Sequence, residues 1–112
     1  MPLFEDFRVR RMADDSALTD RVRQDLDLLR RHVRLLETVE EHQPIGIIRL
    51  SELLGYPQHK VRYTLRVLEQ EGLIKPSQEG ARTTSKANGF HQKLKSLLGD
   101  MRQTVETLTE SL

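Results

Sequence analysis

The chain contains no cysteine and no tryptophan, and its 112 residues include only two tyrosines and three phenylalanines. Without cysteine there is no disulfide framework, no thiolate zinc site and no cysteine nucleophile, which is compatible with a reducing cytoplasm. No apolar run approaches the ~20 residues of a membrane span. The opening MPLFEDFRVRRM alternates charge with bulk where a secretory signal would carry an apolar core. The expectation is a soluble, cytoplasmic protein. Catalytic signatures are also missing: there is no GxxxxGK loop, no GxGxxG, no GxSxG elbow and no constellation of paired carboxylates. The histidines His32, His42, His59 and His91 lack metal-ligand spacing. The chain therefore reads as a non-enzyme with no cofactor and no metal.

Net charge is small as well, a formal +1, too little to indicate a nucleic-acid partner by itself. Its distribution says more. From Pro44 to Lys86 seven basic residues (Arg49, Lys60, Arg62, Arg66, Lys75, Arg82, Lys86) stand against four acidic ones, whereas Ala13 to Gln43 has five arginines against eight acids. With 37% hydrophobic and 31% charged residues, the chain has the composition of one globular domain with a modest core.

The most informative stretch is LSELLGYPQHKVRYTLRVLEQEGLI, Leu50 to Ile74. Ile47, Leu50 and Leu54 recur at three and four residues, then stop at Gly55, where a left-handed cap is cheap. Pro57 has φ preset for a first helical position, so a second helix is predicted over 57–71 after a turn of two or three residues. Val61, Leu65 and Leu68 form its buried stripe. At 100° per residue, His59, Arg62, Tyr63 and Arg66 fall on the opposite side, flanked by Gln58 and Lys60. These groups can donate to base edges and phosphates. The acids Glu69 and Glu71 sit at the far end, away from a groove entered by the N-terminal half.

This stretch resembles the winged helix-turn-helix superfamily of prokaryotic and archaeal transcription regulators, in which a string like RVLEQEGLI commonly ends the recognition helix. The resemblance covers about residues 44 to 85 and the helix that precedes them. It implies a mainly α fold with a small β-hairpin wing: Leu73 and Ile74 as the first wing strand, KPSQEG as the turn, and Ala81 to Thr84 as the returning strand. Lys75, Ser77, Gln78 and Arg82 would then reach the DNA backbone beside the groove, the wing spanning 73–84.

Long amphipathic segments flank the module. Val22, Leu26, Leu29, Val33, Leu36 and Val39 step by four, three, four, three and three, predicting a helix from about Thr19 to His42, capped by Thr19 or Ser16 and stopped at Pro44. Leu28, His32 and Leu35 form a second stripe beside it. At the other end Phe90, Leu94, Leu97, Met101, Val105, Leu108 and Leu112 step by four, three, four, four, three and four. Ser85 is a candidate N-cap, with Asn88 and Gly89 able to delay the helix start to Phe90. Aliphatic surface of this extent points to a homodimer, with Phe90, Leu94, Leu97, Met101, Val105 and Leu108 as the interface; an intrachain antiparallel pair is the alternative. The expected organisation is a flexible segment at 1–15, a winged helix-turn-helix domain with its long first helix at 16–86, and a dimerisation helix at 87–112.

The expected function is sequence-specific binding of double-stranded DNA in transcription regulation. Each residue also has a plainer reading. Arg62 and Arg66 can be solvated charges, with Arg66 pairing with Glu69 or Gln70, and Lys75 and Arg82 can simply keep a hairpin soluble. The main rival is a winged helix used for protein contact, since fold does not fix function. RNA binding would call for more exposed aromatics than Tyr56 and Tyr63.

Overall fold

A computed structural model describes residues 17–112. The segment expected to be flexible, 1–15, and the possible cap Ser16 lie outside the described residues. Among those described, four helices and a two-stranded antiparallel sheet follow in the order α1 (Ala17–His42), α2 (Ile47–Leu54), α3 (Gln58–Gln70), β1 (Ile74–Ser77), β2 (Gly80–Thr83) and α4 (Lys86–Ser111). Backbone contacts divide the chain into two units, Met1–Arg34 and Leu35–Leu112, so α1 begins in the first and ends in the second.

In the first unit the described part of α1 exposes Leu18, Val22 and Leu26, while Leu28, Leu29, His32 and Val33 are half-buried. His32 titrates below its ordinary value of 6.5 because burial disfavours the imidazolium, and the Arg31 charge adds to this.

In the second unit the same helix buries Leu35, Leu36, Thr38 and Val39. Leu35, Leu36 and Val39 are completely buried and join Ile45, Leu50, Val61, Leu68, Leu73, Ile74 and Ala81 in one core. Deleting one such aliphatic side chain costs about 2–5 kcal/mol. The predicted stripe along α1 is thus spent on the core only at its C-terminal end.

The α2 helix ends as its sequence demands. Gly55 takes φ 74° and its N–H donates to the Ser51 carbonyl at 2.9 Å. The Ser51 hydroxyl donates to the Tyr56 carbonyl, fixing the short turn. Pro57, expected as the first helical residue, is instead the N-cap with φ −60° and ψ 150°, so the helix starts one position later, at Gln58. Its extended ψ leaves its carbonyl free to accept from Lys60 and Val61. The helix closes at Gly72, φ 76°, where the Leu73 N–H reaches the Leu68 carbonyl and the Gly72 N–H reaches that of Glu69, both at 2.9 Å. This paired geometry satisfies the last carbonyls and swings the chain into β1.

The first strand is longer and the turn tighter than the sequence suggested. Pairing runs Ile74↔Thr83, Lys75↔Arg82, Pro76↔Ala81 and Ser77↔Gly80, so only Gln78 and Glu79 form the turn. Pro76 is accommodated inside β1 because Ala81 directs its own N–H and carbonyl to the other side, where both bond Ile45 at 2.7 and 3.2 Å. The chain before α2 therefore adds a one-residue bridge to the sheet. Gln43 reinforces it by accepting from the Thr83 N–H at 2.8 Å and hydroxyl at 3.2 Å.

α4 starts at Lys86, earlier than Phe90, since Asn88 and Gly89 are both helical. Ser85 is its N-cap by position without a side-chain bond; the Thr84 hydroxyl accepts from the Lys86 N–H instead, at 3.3 Å. The first turns are fixed to the second unit: Ala87 and Leu94 are buried, Phe90 packs against the core, and His91 Nε2 donates to both Glu40 oxygens at 2.9 Å. From Lys95 onward every residue is exposed.

Candidate functional site

The outward face of α3 is fixed by what its inward face buries. Val61, Thr64 and Leu68 are buried, with Leu65 half-buried beside them. Residues displaced by half a turn must then face away. Gln58, His59, Lys60, Arg62, Tyr63 and Arg66 are all exposed. Helical spacing puts His59, Tyr63 and Arg66 in one row, with Arg62 alongside, and Gln70 continues the row toward the C-terminus.

Among the described residues Lys60, Arg62, Arg66 and Lys75 pair with no carboxylate. The Arg66–Glu69 surface pair considered from the sequence does not form. Because an unneutralised guanidinium retains its donors, this face offers cationic and hydrogen-bonding groups to an acceptor-rich ligand.

An open groove of about 580 Å³ separates the start of α2 from the start of α3. Ile48, Arg49 and Glu52 line one side, and Gln58 and Arg62 the other. Arg49 thereby joins the α3 cations, although sequence reasoning used it only in the charge count. The available signal was its position in α2: it precedes the buried Leu50 and lies outside the Ile47, Leu50 and Leu54 stripe. Glu52 puts one negative charge into the same groove.

The hairpin residues are distributed unevenly. Lys75 and Arg82 are direct cross-strand partners, two like charges brought side by side. Such a pair is unfavourable for an isolated hairpin. Glu79 reaches Arg82 at 3.9 Å, but both side chains are exposed and the contact is worth little. Gln78 is exposed in the turn. The Ser77 hydroxyl donates to the Gly80 carbonyl at 2.6 Å, so its proton is used within the hairpin and only its lone pairs face outward.

A second depression of about 300 Å³ lies between α3 and the hairpin, where Leu65, Ile74 and Pro76 make an apolar floor. The residues proposed as an association surface fall into two groups: Phe90 and Leu94 pack inward, while Leu97, Met101, Val105 and Leu108 are exposed. Among the described residues no three His, Asp or Glu side chains converge as metal ligands, and no helix is long and apolar enough to cross a membrane. No protein-family model matches the chain, and no curated protein is significantly similar to it in sequence.

Proposed function

We propose that this protein is a double-stranded DNA-binding transcription regulator of the winged helix-turn-helix type, acting as a homodimer. In this reading α3 enters the major groove, α2 braces it, and the β1–β2 hairpin is the wing. The observation that carries it is the exposed row His59, Tyr63 and Arg66 with Arg62 beside it, the two arginines pairing with no carboxylate among the described residues, on a helix flanked by a tight left-handed turn and a cationic hairpin.

Each group has a role. Arg62 and Arg66 suit bidentate contact with guanine or phosphate oxygens. Gln58 and Lys60, at the helix start, meet the backbone, and His59 and Tyr63 supply phosphate, sugar or base contacts. Lys75 and Arg82, mutually repulsive in the free hairpin, are relieved by a phosphate between them, with the Gln78 amide as a further donor at the tip; Ser77 joins as a donor only by releasing the Gly80 carbonyl. The chain has no catalytic step in this reading.

Fluorescence anisotropy against a random duplex and against the gene's own upstream DNA, each at low and moderate salt, tests the proposal. Tight, steeply salt-dependent binding that favours the upstream duplex supports a sequence reader. No binding to either duplex at low salt rejects it. That result would favour a protein-contact module, a reading supported by Ile48, which is 63% exposed at the edge of the α2–α3 groove.

A further inference from the structure

The groove between α2 and α3 has a lining that a phosphate backbone does not call for. Gln58 and Arg62 stand on its α3 side, but its α2 side presents Ile48 and Glu52. Ile48 is 63% exposed, and Glu52 is exposed as well. Among the described residues the Glu52 carboxylate pairs with no cation, although Arg49 and Arg62 line the same groove. A duplex that meets Arg62 in this groove therefore also meets an uncompensated negative charge. Against phosphate that charge repels, and Ile48 gains nothing there.

Ile48 and Glu52 are four residues apart on one helix, so they share a face with Cβ atoms about 5–6 Å apart. Together they offer an apolar group beside an acceptor. In the major groove guanine shows two acceptors, N7 and O6, and thymine sets the O4 acceptor beside its methyl, so both repel a carboxylate. Adenine has an amino donor, N6, but sets the N7 acceptor next to it. Cytosine sets its amino donor, N4, next to an apolar ring carbon, C5. The guanine paired with that cytosine supplies the two acceptors that suit Arg62 across the groove.

We infer that Glu52 is a specificity-determining residue: its carboxylate accepts from the N4 amino group of one cytosine, Ile48 packs on C5 of the same base, and Arg62 takes the paired guanine. This rests on the DNA-reading function proposed above and adds one base pair with the residues that choose it. Selection works largely by exclusion. A wrong base leaves the carboxylate facing acceptors and stripped of water, whereas the right one returns a charge-assisted hydrogen bond. In this role α2 reads as well as braces.

The test is selection from a pool of random-sequence duplexes, with the bound fraction sequenced, for the full chain and for Glu52→Gln; circular dichroism checks that both are folded. The wild-type motif is expected to hold a fixed C·G pair, and Glu52→Gln to enrich the same motif with that one position relaxed by roughly tenfold. A motif identical in the two proteins overturns the inference and leaves the DNA-reading function standing. Tighter binding of every duplex by Glu52→Gln with no position relaxed also overturns it, since repulsion of phosphate explains that result. No enriched sequence from the wild-type protein rejects the DNA-reading function itself, and the inference with it. Anisotropy with 5-methylcytosine at the fixed position checks Ile48: the added methyl is expected to tighten wild-type binding by about threefold and to do nothing for Ile48→Ala. An equal response of both proteins removes Ile48 from the contact.

Discussion

The backbone of Ile45 passes so close to Gly80 that a methyl group built on the glycine would lie 2.5 Å from the Ile45 carbonyl carbon. Gly80 also has φ +135°, a region that side-chain-bearing residues rarely adopt. Contact and torsion together explain how residue 45 is drawn against β2 and why the hairpin is held close to its turn. Gly80→Ala is expected to destabilise the protein by roughly 1–3 kcal/mol. The measurement is the urea midpoint; an unchanged midpoint would mean that the hairpin shifts freely.

Thr64 is fully buried on α3, and its hydroxyl has no hydrogen-bond partner among the described residues. An unpaired buried hydroxyl costs free energy that an isosteric methyl does not. Thr64→Val should therefore raise stability by about 1 kcal/mol, read from the same denaturation curves. A loss of stability would show that the hydroxyl is satisfied in solution.

Replacing Arg62 and Arg66 together with alanine removes two exposed side chains that bury nothing, so the circular dichroism spectrum and melting temperature should be unchanged. Affinity for the upstream duplex is expected to fall by at least tenfold, with loss of preference over random DNA, since a good bidentate contact discriminates by about 1–3 kcal/mol. Unaltered binding by the folded double variant would remove α3 from the DNA interface.

Leu97→Glu and Met101→Glu each place a carboxylate in the middle of the exposed α4 stripe, where association would bury it without a partner. Sedimentation should move from dimer to monomer with either change, with the helix content retained. A dimer that survives both would relocate the contact to α1.

His32 has a pH signature. Its folded value is held below 6.5, so between that lowered value and about 6.5 the unfolded chain binds more protons and stability rises with pH. The contribution is fully present above about 6.5 and is lost as the pH falls through the lowered folded value. Urea unfolding at pH 7.5 and 5.5 should show the decrease, and His32→Gln should shrink it. An identical pH difference in the variant would assign the effect to other groups.

The helices were legible because their signals are periodic and repeated: Gly55 ends α2 where the apolar steps stop, and Val61 and Leu68 are buried as their spacing requires. The sheet was only half legible. Ile45 stands between Pro44 and Gly46, where a single residue carries no period from which a bridge could be read. Pro76 suggested a turn, yet it pairs within β1 because its partner Ala81 needs nothing from it. Thr64 was passed over because a polar residue at the right angle looks like a gap in a stripe. In the candidate site the face of α3 followed from helix geometry alone, whereas the approach of Arg49 to Arg62 depends on how α2 folds back, a tertiary fact that local sequence does not encode. On α4, Phe90 and Leu94 belong to the same apolar series as Leu97 and Met101, and only the position of the core separates inward from outward members.

The uncovered end of α4 also makes the chain its own gauge of assembly. From Lys95 to Ser111 the helix has, among the described residues, only its internal hydrogen bonds, and an isolated helix not much longer than ~12–15 residues is marginal in water. In a lone chain these amides should trade protons for solvent deuterium far faster than those of Leu35 to Val39, which sit in the core. Whatever covers the stripe slows that exchange locally, so the deuterium uptake of Leu97 to Leu108 tracks occupancy of this surface without any label.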